Sequence, residues 1–284
     1  MCAPPGNGLP SEAVPFWECF RAPPFRLSFS PRLCSADFSR GAGASYTKFM
    51  LQVANPIPVD SIRLVVFDLD GTLIDSRRDL ANSINAMLVQ MHRQPLPEEI
   101  IATYIGDGAG MLVRRALGDP EEEHLVEEGL KRFLDYYREH KLDHTYVYPG
   151  VFSSLDALKT MPDGSARSMA VLTNKPIGPS LAICEALGLS PYFFQIYGGN
   201  SFHTKKPDPD GLNALIREAG VSPEETLMVG DSDVDVLTAR RAGAWVIGCR
   251  FGLSSHTLES IPSDCLVDSA SEWTTAFNSI SAHR

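Results

Sequence analysis

The apolar run Ile62-Arg63-Leu64-Val65-Val66-Phe67, ending on Asp68-Leu69-Asp70-Gly71-Thr72-Leu73, narrows the fold choices more than any other feature of this chain. Consecutive β-branched and aromatic residues with no polar alternation read as a strand covered on both faces. Such strands belong to parallel sheets flanked by helices. Side chains alternate along a strand, so Asp68 and Asp70 leave its end on one side. Two carboxylates that close repel each other, and a cation or a shared proton must offset them. The pair is suited to nucleophilic attack and acid–base work, with a magnesium ion balancing the charge.

Apolar runs at 169–172, 194–197, 226–229 and 245–247 predict further strands, with a weaker one at 265–267 on the sheet edge. Helical stretches fall between them, at 179–187 (apolar Leu181, Ile183 and Leu187), 211–219 (Leu212, Leu215 and Ile216) and 234–242. The alternation predicts an α/β fold, a Rossmann-like parallel sheet core with helices on both faces. The stretch between the first two strands is too long for a simple crossover. In it Leu80, Ile84, Met87, Leu88 and Met91 share one helix face, and Leu125, Val126, Leu130, Phe133, Leu134 and Tyr137 repeat the pattern. Pro120 before Glu121-Glu122-Glu123 starts that second helix, and Tyr148-Pro149-Gly150 returns the chain to the core. The expected domains are a core of 61–78 and 149–284 and an inserted helical cap at 79–148.

Residues 1–49 are rich in Pro, Ser, Arg and Gly and hold no lasting period. A targeting segment and a tail before a true start at Met50 both fit. The lack of an apolar core or amphipathic helix favours the second. A disordered extension over 1–60 is expected. A net charge of −10 leaves no basic excess for nucleic acid, and no apolar run is long enough to span a membrane. The six cysteines form no CxxC pair or metal-ligand spacing, so reduced thiols and a cytoplasmic location are expected.

Three later motifs each follow a strand. Thr173-Asn174 offers a hydroxyl and backbone N–H groups to phosphoryl oxygens. Lys206-Pro207-Asp208-Pro209, with Lys205 adjacent, supplies a cation. Gly230-Asp231-Ser232-Asp233-Val234-Asp235 sets three acids in five residues, an oxygen-rich site for a hard cation. Strand C-termini are where open α/β sheets place their ligands.

With these four motifs in this order, the chain resembles the haloacid-dehalogenase superfamily of phosphotransferases and, within it, the phosphoglycolate phosphatases. The resemblance runs from about Ile62 to about Ser271. It implies Asp68 as nucleophile through an aspartyl-phosphate, Asp70 as acid and base, and Lys206 as the charge-stabilising cation. Lys205 then faces solvent. It further implies Mg2+ held by Asp68, the backbone carbonyl of Asp70 and Asp231, with Asp235 assisting from behind. Asp233 reads as a solvated acid at a helix start. Thr173 and Asn174 become phosphate-binding residues. In the cap, Gly106, Asp107 and Gly108 resemble a loop facing the active site, and Arg114 or Arg115 is suited to pair with a substrate carboxylate. The expected substrate is a small phosphorylated metabolite, 2-phosphoglycolate first. Other activities of the same scaffold are the alternatives: nucleotide or sugar phosphatase, pyrophosphatase, phosphosugar mutase, or a catalytically silent binding protein. Asp70 argues against a dehalogenase, and the lack of a cap lysine before Lys131 argues against phosphonate hydrolysis.

Overall fold

The computed structural model describes residues 52–281, so residues 1–51 of the expected extension, Met50 included, lie outside the described residues. The described chain runs through β1 (Gln52–Val53), β2 (Leu64–Phe67) and β3 (Ile74–Asp75). Four helices follow: α1 (Arg77–Gln90), α2 (Glu98–Ala102), α3 (Ala109–Ala116) and α4 (Glu123–His140). After β4 (Tyr146–Val147) and α5 (Val151–Leu158), strands and helices alternate as β5 (Ser168–Leu172), α6 (Ile177–Ala186), β6 (Gln195–Tyr197), α7 (Asp210–Ala219), β7 (Thr226–Gly230) and α8 (Asp233–Ala242). The last elements are β8 (Trp245–Cys249), β9 (Cys265–Val267) and α9 (Glu272–Ser281).

The main sheet has the order β1-β9-β8-β7-β2-β5-β6. All neighbours are parallel except β1, which pairs antiparallel with β9. Phe67 lies opposite Val171 and Val229, so the ends of β2, β5 and β7 emerge together at one edge. All four residues of β2 are buried, as its continuous apolar run requires. Val65 and Phe67 pack with Val151 and Leu155 of α5 and Trp273 of α9, while Leu64 and Val66 pack with Leu212 of α7 and Val236 of α8. Each such side chain contributes about 1.5–3 kcal/mol by leaving water.

Two details depart from the sequence reading. Residues 52–60, assigned there to the extension, join the core: β1 takes the outer edge in place of 265–267, and Ile57 and Val59 are buried. A two-residue strand carries no readable period, and the free side of β9 supplies its pairing. In α6, Leu181 is exposed and the buried face is Ser180, Ile183 and Cys184. Positions two apart, such as Leu181 and Ile183, cannot share a helix face.

The chain leaves the sheet through β3 and returns through β4, and these two strands pair antiparallel. Asp79 knots the two crossings together: its Oδ2 accepts the backbone N–H groups of His144 (2.9 Å) and Thr145 (2.8 Å) and the Thr145 hydroxyl (2.8 Å). Between them α4 packs on α1 and α3. Gly129 permits that approach, since a Cβ there would lie 3.0 Å from Val113 and 3.2 Å from the Met87 sulfur. No helix among the described residues is long and apolar enough to cross a membrane. Cys184, Cys249 and Cys265 are buried free thiols.

Candidate active site

The joined strand ends assemble residues far apart in sequence. Asp68 leaves β2, with its backbone N–H donating to Val229 O of β7 (2.9 Å). Lys206 Nζ donates to Asp68 Oδ1 (2.7 Å) and Asp235 Oδ1 (2.6 Å), and its side chain is only 3% exposed. The second oxygen of Asp235 accepts the Ser232 N–H (3.1 Å) and hydroxyl (2.7 Å), which fixes the start of α8. Lys205 is exposed and donates to Asp107 O. Asp233 is half-buried at the first turn of α8, its N–H held by Thr257.

Asp231 follows β7 and accepts the Ser254 N–H on Oδ2 (2.8 Å). Asp68, Asp231 and Asp235 each place a carboxylate oxygen within 4.8 Å of the others. Among the described residues, the ion pairs of this trio all go to Lys206. Burial is the main cause that pushes Asp68 up to about 6, with Lys206 opposing and Asp235 adding. Burial, then Asp68 and Asp235, holds Asp231 well above the usual carboxylate range. Burial works against the charge of Lys206, but Asp235 and Asp68 outweigh it and raise the ammonium. Three buried carboxylates against one ammonium leave excess negative charge. An oxygen-rich, cation-poor pocket of this kind fits a hard divalent cation.

Gly71, at φ +88°, and Gly252 crowd Asp231 so closely that a Cβ on either would overlap its carboxylate. Gly71→Ala is expected to cost about 1–3 kcal/mol, from the backbone conformation as well as the overlap. A melting temperature equal to that of the unaltered protein would show that the carboxylate moves aside freely.

Asp70 faces a different neighbour, which the sequence reading passed over. Lys175 Nζ donates to both Asp70 oxygens (2.9 and 3.0 Å), and the Ser76 hydroxyl donates to Oδ1 (2.5 Å). Lys175 also stands over the Tyr137 ring of α4, 4.8 Å from its centroid. The one available signal was a lysine three residues beyond the end of β5, directly after Thr173-Asn174. Asp68, Asp70, Gly106, Gly108, Thr173, Asn174, Lys175 and Tyr137 all line one cavity between the sheet edge and the inserted helices.

Thr173 Oγ1 accepts the Lys175 N–H (3.2 Å). The Asn174 side-chain NH2 donates to the carbonyls of Gly106 (3.1 Å) and Lys206 (3.0 Å) and so ties two loops together. Gly108, at φ +87°, presses against Asn174 O where a Cβ would collide. Arg114 and Arg115 go elsewhere. Arg114 binds Pro120 O and Glu123, Arg115 binds Tyr104 O and Asp107, and neither lines the cavity.

A family model described as haloacid dehalogenase-like hydrolase matches residues 65–249. The chain is 39% identical over 215 residues to a phosphoglycolate phosphatase of Chromobacterium violaceum, covering 74% of this chain and 94% of that protein. It is 41% identical over 199 residues to one from Pseudomonas putida, covering 67% and 70%. A crystal structure from Haemophilus somnus, described as a predicted phosphoglycolate phosphatase, superposes with a TM-score of 0.69 at 32% identity, over 76% of this chain and 97% of that one.

Proposed function

Since the chain belongs to the haloacid dehalogenase-like hydrolase family and is a phosphatase, we propose that it hydrolyses 2-phosphoglycolate with Mg2+, through an aspartyl-phosphate on Asp68. The observation that carries this reading is the Asp68–Lys206–Asp235 chain of ion pairs beside the cation-poor Asp231. Lys206 occupies one Asp68 oxygen and orients the other for attack on phosphorus. The ester P–O bond breaks as the Asp68 O–P bond forms, and the leaving alkoxide takes a proton from Asp70. Asp70 then accepts a proton from the water that cleaves the aspartyl-phosphate, which regenerates Asp68 and releases phosphate. Backbone N–H groups beyond Thr173, with its hydroxyl, hold phosphoryl oxygens at the strand end. Asp68, Asp231 and the backbone carbonyl of Asp70 would hold Mg2+, and the bound ion would supply positive charge where carboxylate meets phosphate. Asp235 keeps Lys206 in place. The helices at 79–148 act as a cap over this edge, with Gly106 and Gly108 as its contact loop.

Phosphate release from 2-phosphoglycolate, sugar phosphates, nucleotides and pyrophosphate tests the reading. The expected result is a kcat/KM preference for 2-phosphoglycolate that EDTA abolishes and Mg2+ restores. A stronger preference for another ester would retire the substrate. Full activity in EDTA would retire the metal.

A further inference from the structure

The cavity holds one unexplained arrangement. Its walls are largely apolar, with Leu80, Leu112 and Phe133 among them, and Lys175 is the one cation among the described residues lining it. The lysine side chain is 4% exposed, and both of its carboxylate contacts go to Asp70, the residue that must reach the leaving oxygen. Its remaining side is closed by the Tyr137 ring. The Tyr137 hydroxyl lies in the same wall, buried; the Lys175 ammonium stands beside its oxygen, and among the described residues no acceptor takes its proton. A buried donor without an acceptor is costly, and groups left so in a cavity mark where a ligand atom belongs.

We propose that Lys175 and the Tyr137 hydroxyl form the receptor for the substrate's carboxylate, and that Asp70 occupies Lys175 until that carboxylate displaces it. The inference rests on the proposed reading that the substrate is a phosphorylated acid.

The chemistry of such an ester supports the placement. In 2-phosphoglycolate a single carbon separates the ester oxygen from the carboxylate. With phosphorus at Asp68, Asp70 has to sit beside the ester oxygen, and the next group along the substrate falls where Asp70 now meets Lys175. A carboxylate there gains the ammonium on one oxygen and the tyrosine hydroxyl on the other, the two-oxygen match that Asp70 alone leaves unfilled. Asp70 is thereby freed toward the leaving oxygen. An ester without the acid leaves Asp70 held. Lys206 is committed to Asp68 and Asp235 and the two cap arginines to Glu123 and Asp107, while Lys205 is exposed and donates to the backbone carbonyl of Asp107. The device makes Lys175 a specificity-determining residue and ties recognition by α4 to release of the acid.

The test compares 2-phosphoglycolate with 2-hydroxyethyl phosphate, which keeps the ester and lacks the carboxylate. The unaltered enzyme is expected to prefer the acid by about 100-fold in kcat/KM, the discrimination available to a site built around a charged hydrogen bond. Lys175→Met should collapse that preference to within about fivefold, with the greater loss on the acid. A lysine that only props up Asp70 would slow both esters in parallel. A preference that survives Lys175→Met therefore overturns the assignment while leaving the proposed function standing. Equal cleavage of both esters by the unaltered enzyme overturns the acid substrate itself. Should Lys175→Met fail to fold, Tyr137→Phe decides. Competitive inhibition by glycolate, measured on 2-hydroxyethyl phosphate, should weaken about tenfold in that variant. Unchanged inhibition overturns the receptor.

Discussion

Asp68→Asn is expected to lower kcat by about 10^4-fold or more while the melting temperature holds or rises. An amide of the same shape has no anionic oxygen with which to attack phosphorus. The Lys206–Asp235 pair remains to keep the lysine in place. The stability half of the prediction follows from the charge on the site. Burial raises Asp68 from 3.8 to about 6, so the folded protein holds that proton more tightly than the unfolded chain does. The carboxylate therefore opposes folding. The penalty is absent below about pH 4, grows as pH rises through the interval, and is complete above about pH 6. At pH 7.5 in EDTA, asparagine removes it. Steady-state turnover with Mg2+ and a melt in EDTA measure the two halves separately. Turnover above about 1% of the unaltered rate would remove Asp68 from the nucleophile's role. A large drop in melting temperature would mean that the repulsion among the three acids has been overrated.

The sheet was legible because its strands are short runs of buried apolar residues bounded by glycine or polar residues. In β7, Thr226–Gly230, every residue is buried and the acids begin at the next position. The inserted helices were legible for the same reason at a period of 3.6, with Ile84, Met87, Phe133 and Tyr137 all buried. The meeting of Lys206 with Asp68, 138 residues away, is of another kind. No periodicity contains it, and only the resemblance to a known family led there. Side-chain direction was legible least. Arg114 and Arg115 both sit on α3, and their partners depend on loops at Tyr104, Asp107 and Pro120. Lys175 was overlooked because its significance lies in Asp70, 105 residues earlier, and in Tyr137 on α4. β1 was missed because its pairing comes from β9 and not from its own two residues.

Lys206→Met is expected to be the most damaging substitution for stability. The lysine side chain is 3% exposed, and its ammonium bridges Asp68 and Asp235, the latter fully buried. Removing one member of a buried charge group leaves the others uncompensated, which costs about 3–5 kcal/mol. For a domain of this size that lowers the melting temperature by roughly 10 °C. Solvent does not screen the loss at such depth. Methionine is close enough in volume that the effect reports charge more than a cavity. Adding Asp235→Asn to Lys206→Met supplies the decisive comparison, because it removes the carboxylate with the least access to water. The double variant should recover part of the lost stability, a positive coupling in a double-mutant cycle. Its activity should stay low, since the cation that meets the developing charge at Asp68 is still missing; the expected loss in kcat is about 10^3-fold. Additive losses in the melt would show that Lys206 acts through packing, and the electrostatic account of the site would then fail.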